Sequence, residues 1–441
     1  MSTEEKNIRQ SHEEGQSGDE ASIPALPFDE AGSNRDSYGA LHSRDFRLLL
    51  IGVFLAMFGQ QMIGVALGWE LYERTGSALV LGFVGLAQVL PVIILFLPAG
   101  YIIDRYNRKY VVLTAQLVLA LAELGLALLS YARGPLLLIY GCLLIMGCAL
   151  AFNSPASSAL VSQVVPEAAF ENASTWRSSA SQLAAVLGPA SSGFLIGLFH
   201  GSTLVYVLSA GTALIFVLLL LLLRVRPQVT AFGRRSLSSL LEGLRFLGKT
   251  QVLLAAITLD LFAVLLGGAT TLLPIYATSI LHVGPVGLGW LQAASSIGAV
   301  CMALTLAHRP PFKRAGRTLL LAVAGFGLAT IIFGVSRWFW LSLLMLFLLG
   351  AFDNISVVIR STLLLVRTPD EMRGRVSAVS SLFIGTSNQL GGFESGLVAQ
   401  LIGPVPAVVM GGIGTILVVL LIGWIWPEMR QMGALREKSA K

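Results

Sequence analysis

The chain has 441 residues, 55% of them hydrophobic and only 12% charged, with a formal net charge of +6. That charge content is about half the ~25% usual for soluble domains, and the mean hydropathy is +0.77. Together these exclude a soluble globular protein, and the basic balance reads as loops that orient membrane spans rather than as a surface for nucleic acid.

In chain order, residues 1–45 are polar, with ten acidic and four basic residues, and read as a disordered tail. They lack the apolar segment of a secretory signal. Twelve apolar stretches come next, at 48–72, 78–103, 110–131, 135–160, 172–199, 203–223, 251–281, 286–307, 317–336, 338–365, 375–402 and 405–426. About 20 helical residues cross a ~30 Å hydrocarbon core, and stretches of this length span as helices. The longest internal connection, 226–250, separates a six-helix unit at 46–225 from a second at 251–426, and a second tail occupies 427–441. Within the connection, Leu237, Leu240, Leu241 and Leu244 form an apolar stripe, and Ser239 and Glu242 fit a capping box, so an amphipathic helix at the membrane surface is expected.

An even number of spans puts both termini on one side. Twenty-five of the thirty Lys and Arg residues lie in the tails and in the loops after spans 2, 4, 6, 8 and 10, whereas the opposite loops hold only Arg74, Arg133 and Arg337. The positive-inside rule therefore places both termini in the cytoplasm. The halves also resemble each other. At an offset of 203, Ser174 matches Ser377, Ser178 matches Ser381, Gly188 matches Gly391 and Gly193 matches Gly396; at 204, Gly85 matches Gly289 and Gln88 matches Gln292. A duplicated six-helix unit is the pattern of secondary transporters whose substrate site lies between the halves near the midplane.

Four charges interrupt the apolar runs between spans 2 and 3, in the pattern Gly100-x-x-x-Asp104-Arg105-x-x-Arg108-Lys109. Positive-inside bias accounts for the three basic residues but not for the acid. The pattern resembles the signature loop of the major facilitator superfamily, with Asn107 where a second glycine is common. The resemblance implies an all-α fold of twelve transmembrane helices in two pseudo-symmetric six-helix bundles. It also implies a cytoplasmic gate in which the acid meets the N-terminus of span 11, an arrangement worth typically ~0.3–1 kcal/mol. Ahead of span 11, Pro369-Asp370-Glu371-Met372-Arg373-Gly374-Arg375-Val376 resembles an element of the exporter branch related to enterobactin and macrolide efflux proteins, so Asp370, Arg373, Gly374 and Arg375 are expected at the second-half gate. In span 5, Gly188-Pro189-Ala190-Ser191-Ser192-Gly193 resembles an antiporter motif, with Ser192 in place of the first of two paired glycines. Small residues let helices approach closely and proline bends them, which suits Gly188, Pro189 and Gly193 to a moving seam. A match to the P-loop expression at 243–250 sits on the amphipathic stretch with no nucleotide-binding domain around it, and is discounted.

Charges inside spans cost about 2.5–3.5 kcal/mol each on insertion scales and mark function. Asp260 lies roughly 14 Å into span 7, and Asp353 roughly 22 Å into span 10 with Arg360 two turns on. As the family arranges spans 1, 4, 7 and 10 around the cavity, Asp260, Asp353, Arg360 and Glu70 are candidates for proton coupling or substrate binding, and Glu394 for the periplasmic rim. A structural pair between Asp353 and Arg360 is the alternative for that acid. Cys142, Cys148 and Cys301 make no C-x-x-C pair, and the five histidines are scattered, so neither a disulfide framework nor a metal site is expected.

The sequence thus points to a multi-pass transporter of the inner membrane, not an enzyme, that needs no cofactor and acts as a monomer. Its partners are an amphipathic small molecule (siderophore-like, macrolide-like or multidrug), protons and the lipid bilayer, with no nucleic acid. Export by proton antiport is the leading expectation. An uptake symporter or lipid flippase of the same fold is the alternative, ahead of a membrane enzyme or a channel.

Overall fold

The computed structural model describes residues 38–166, 169–224, 237–310 and 312–433. The chain divides into two units, Met1–Gly39 and Ala40–Lys441, and the second carries all the membrane-crossing helices. Most of the polar N-terminal tail, the basic stretch 225–236, the side chains of the capping-box serine and of Leu237 and Leu240, and the tail beyond 433 lie outside the described residues.

Among the described residues the structure is helical and has no strand. The first half consists of α1 (Arg44–Thr75), α2 (Ala78–Arg105), α3 (Arg108–Tyr131), α4 (Leu136–Val164), α5 (Phe170–Phe199) and α6 (Thr203–Leu222). After the amphipathic α7 (Leu237–Lys249), the second half comprises α8 (Gln251–Leu266), α9 (Gly284–Ala307), α10 (Ala315–Val335), α11 (Phe339–Arg367), α12 (Asp370–Ile402) and α13 (Pro404–Ile425). Eleven of the spans are long and apolar enough to cross a membrane. The twelfth, α12, is the longest helix at 33 residues, but its Ser, Gly, Asn and Gln content dilutes its hydropathy.

Local chemistry sets the ends. Ser43 Oγ accepts from Phe46 N at the start of α1, and Gly76, with φ of 61°, closes it by donating to Tyr72 O. Asn107 caps α3 by accepting from Lys109 N at 3.0 Å, which gives the departure from the signature loop a physical role. Span 7 is not one continuous helix, as its apolar run suggested. It stops at Leu266, passes through Gly267 and Gly268 into a 3₁₀ turn at Ala269–Leu272, and ends in a π-turn at Tyr276–Ile280. Gly268 packs against the Gly391 carbonyl and the Ser395 hydroxyl of α12, so the break is held by a neighbouring helix.

The same five helix pairings build each half: α1 with α5 and α6, α3 with α4 and α6, and α2 with α4, matched by α8 with α12 and α13, α10 with α11 and α13, and α9 with α11. Two seams join the halves, α2 against α12 and α5 against α9, and they are themselves symmetry mates. Each contains a glycine contact. A Cβ on Gly193 would lie 2.9 Å from Gly289 Cα, and one on Gly396 would lie 2.8 Å from Gly82 Cα. Neither backbone can retreat without parting the helices.

Residues 104–109 and 369–375 mark one end of the bundle, here termed the basic end; residues 76–77, 132–135, 200–202 and 336–338 mark the far end. Three side-chain hydrogen bonds cross between the halves toward the far end: Tyr72 with Ser279 at 2.8 Å, and Ser77 Oγ and Leu79 N both onto Gln400 Oε1 at 3.0 and 3.4 Å. The glycine contacts lie in the same portion. The hydrogen bonds and glycine contacts that join the halves among the described residues thus gather toward the far end. Gly193→Val is expected to overpack the α5–α9 seam by about 1–3 kcal/mol and to part the far end. Spin labels at the exposed Tyr131 and Trp338 would report it as a longer distance; an unchanged distance would mean that the seam does not hold this state closed.

Candidate substrate cavity and intramembrane charges

The opening between the halves is a cavity of about 550 Å³ walled by α1, α2, α4 and α12. Its polar groups are Gln60, Gln88, Ser154, Ser158, Ser377, Ser381, Thr386 and Gln389, with Phe96, Leu150 and Leu382 among the apolar ones. Among the described residues no charged side chain lines it. Gly100 and Gly374, one from each gate motif, both lie on its wall. The seam related by the repeat, α5 against α9, also splays, leaving a cleft of about 810 Å³ that includes Ser174, Ser178, Gln182, Ile297, Cys301 and Leu304. Ser174 and Ser178 there correspond to Ser377 and Ser381 in the first cavity.

The gate residues stay within their own halves. Arg105 donates to Tyr101 Oη, Arg108 to Ala159 O, and Lys109 to Leu221 O and Leu223 O at the end of α6. The Lys109 contacts satisfy the C-terminal carbonyls of α6. In the second half, Arg373 pairs with Asp370 at 2.6 Å, and Arg375 pairs with Glu242 of α7. Asp104 makes no hydrogen bond or ion pair among the described residues, so the contact with the α12 N-terminus implied by the resemblance is not made in this conformation. Asp104→Asn should therefore leave the thermal midpoint unchanged while slowing turnover two- to fivefold, about 0.3–1 kcal/mol at a helix terminus. Thermal unfolding and transport in proteoliposomes would test this, and a lowered midpoint would contradict it.

The acids do not face the cavity as the family arrangement suggested. Asp260 is buried in α8 and forms an ion pair with Arg360 of α11. Asp353 does not pair with Arg360, although it stands two turns before it on the same helix. The guanidinium is taken up by Asp260 on the neighbouring helix instead. Asp353 and Asp260 line one pocket inside the second half, closed by Val323, Phe326, Phe352 and Ser356. Its free volume is about 10 Å³, on the order of one water. Asp353 has no hydrogen-bond or ion-pair partner among the described residues.

Glu70 and Glu394 are also absent from the central cavity's wall. Glu70 is buried and paired with Arg74, which donates to the carbonyls of Leu129, Ser130 and Gly134. This staple ties α1 to the α3–α4 turn beneath a far-end vestibule of about 970 Å³. Glu394 accepts from Ser395 Oγ at 3.4 Å. The span-5 motif faces two ways. Gly188 packs on Phe58 and Gln61 of α1, and Ser192, fully buried, donates to Met62 O at 2.9 Å. Pro189 and Gly193 meet Gly289 across the seam. The serine that departs from the paired glycines therefore fastens α5 to its own half.

The family model described as Major Facilitator Superfamily matches residues 49–315. The chain belongs to the Major Facilitator Superfamily. As a member it is a multi-pass membrane transporter of small molecules and not an enzyme. The chain is 26% identical to the multidrug efflux pump Tap of Mycolicibacterium fortuitum over 81% of this chain and 89% of that protein. It is 26% identical to the enterobactin exporter EntS of Citrobacter koseri over 88% and 92%. Among solved structures, it is similar to a POT family transporter in complex with 5-aminolevulinic acid (TM-score 0.71, 12% identity, 88% and 97% covered). It is also similar to the nucleoside transporter NupG (TM-score 0.66, 15% identity, 87% and 99% covered). These last two likenesses concern the fold.

Proposed function

We propose that this superfamily member exports amphipathic small molecules across the inner membrane by proton antiport. The observation that carries the reading is the separation of two sites: an uncharged, hydrogen-bonding cavity between the halves, and a charged cluster packed within the second half. With the basic end in the cytoplasm, the cavity collects substrate from inside the cell. Three glutamine side chains and a set of hydroxyls suit a molecule rich in carbonyl and hydroxyl groups, as siderophore-like and macrolide-like compounds are. The relatives named for efflux support the direction. Asp353, Asp260 and Arg360 are the proposed coupling cluster. Arg360 balances the charge of Asp260, which leaves the ionised Asp353 carboxylate as the one net negative charge of the cluster unless a proton joins it. Asp104, Asp370, Arg373 and Arg375 act at the gate when the basic end closes.

Everted membrane vesicles with an imposed pH gradient test this reading. A fluorescent macrolide should accumulate inside when the lumen is acidic, and collapse of the gradient should release it. Accumulation in right-side-out vesicles instead would establish uptake. The orientation is checked by a cysteine at Gly201, which has open space around it at the far end and should react with an impermeant thiol reagent added to intact cells.

A further inference from the structure

One intramembrane cation remains outside the gate, the coupling cluster and the far-end staple. Arg177 lies on α5 roughly 10 Å in from the helix start at the basic end. It is half-buried and has no carboxylate partner among the described residues. Its Nη2 donates to Ser158 Oγ at 3.0 Å, and Ser158 lines the central cavity. On its own helix, Ser174 and Ser178 line the lateral cleft between α5 and α9. Arg177 lines neither opening itself, but it reaches the wall of the central cavity through Ser158 and shares its helix face with the serines of the cleft. It is not a relic of the duplication, because the corresponding position in the second half is Ser380.

The cleft has two unlike walls. On α5, Ser174, Ser178 and Gln182 repeat at four-residue spacing, with Thr175 and Ser179 beside them, before the wall turns apolar at Leu183, Val186 and Leu187; on α9, Ile297, Val300, Ala303 and Leu304 are apolar. No charged side chain lines the cleft. A cation that lacks a protein counter-charge and sits one hydrogen bond behind a cavity-lining hydroxyl suits an anionic group on a ligand, and guanidinium-to-oxyanion contacts are the strong, oriented kind. An apolar wall opposite the hydroxyl ladder suits the body of the same molecule.

We propose that Arg177 is the head-group anchor for an amphiphile bearing an acidic head, which reaches the transport cavity sideways through the α5–α9 cleft from the membrane leaflet at the basic end. This rests on the exporter reading for its physiological sense but not for its test. The occupant is the transported amphiphile and not a resident lipid. An anionic head meets Arg177 and Ser158, while the apolar body lies along Ile297, Val300 and Leu304.

Cys301, exposed and on the cleft wall, is a native reporter. The chain carrying Cys142→Ala and Cys148→Ala would be placed in phosphatidylcholine nanodiscs and treated with a membrane-permeant maleimide. The probes are 11-(dansylamino)undecanoic acid and its methyl ester. The acid is expected to protect Cys301 at about tenfold lower concentration than the ester, as a charge-assisted contact partly screened by water would give. Arg177→Gln should bring the acid to the ester's level without altering the ester. Arg177→Lys should restore part of the difference, and that rescue separates anchoring from folding. Equal protection by acid and ester in the parent, a difference that survives Arg177→Gln, or protection by neither overturns the proposal. Protection by phosphatidylglycerol added to the nanodisc without probe overturns it in favour of a resident lipid. None of these readouts uses a gradient, so loss of gradient-driven efflux in everted vesicles would refute the exporter reading and leave this result standing.

Discussion

Asp353→Asn is expected to yield a folded transporter that equilibrates its substrate but no longer concentrates it. With one proton exchanged per substrate, a gradient of one pH unit sustains about tenfold accumulation, since about 1.4 kcal/mol is a factor of ten. In everted vesicles the variant should show no accumulation, while exchange between labelled and unlabelled substrate stays near the parent rate. The reasoning is local. Asp353 lines the small pocket with Asp260, and Arg360 is committed to Asp260. Asp353 is thus the carboxylate of the cluster without a fixed counter-charge. Asparagine keeps its shape and loses only its ability to take and release a proton. Removing a side chain with no partner should also leave the thermal midpoint close to that of the parent. Normal accumulation by Asp353→Asn would remove Asp353 from the coupling cluster, and loss of exchange together with accumulation would assign it to substrate binding.

Much of the architecture is legible because hydrocarbon imposes a simple rule: each apolar run of about 20 residues becomes a helix. The spans come from that rule, the linker helix from its leucine stripe and capping box, and the offset of 203–204 anticipates the repeated helix pairings. The break in span 7 is the exception. A 31-residue run with Gly267-Gly268 and Pro274 inside it is longer than a straight crossing needs, and that excess is the available signal. The site is less legible. Charges draw attention in a membrane sequence, so Asp260, Asp353, Glu70 and Glu394 stand out, yet the central cavity wall carries no charge. Its Gln60, Gln88 and Gln389 lie in apolar spans, where a primary amide needs a partner or water, and this is a usable signal. Ser377 and Ser381 stand out in the sequence as repeat positions but not as cavity lining. The partner of Arg360 cannot be read from spacing. Two turns along one helix suggests Asp353, but a long side chain also reaches across to a packed neighbour, and Asp260 is a hundred residues away in sequence.

Arg360→Met should be far more damaging to folding than any change at Asp353. The guanidinium compensates a buried carboxylate in a low-dielectric interior. Removing one member of a buried pair costs about 3–5 kcal/mol, because the other charge is left uncompensated. The variant is therefore expected to accumulate poorly in the membrane and, once purified, to unfold at a lower temperature. Replacing both members with apolar residues avoids that penalty, and such replacements are often neutral or stabilising. Asp260→Leu combined with Arg360→Met should thus recover most of the lost stability, although pumping stays impaired because the cluster that holds Asp353 has been rebuilt. The decisive control is Asp353→Leu with Arg360→Met. If the ion pair runs between α8 and α11, this second combination leaves Asp260 uncompensated and does not recover. Recovery by the second combination and not the first would show that the functional pair lies along α11, between Asp353 and Arg360, and would pass the coupling role to Asp260. Thermal unfolding of the parent, Arg360→Met, Asp260→Leu, Asp353→Leu and the two double variants in one detergent gives a double-mutant cycle for each pair and distinguishes the two arrangements.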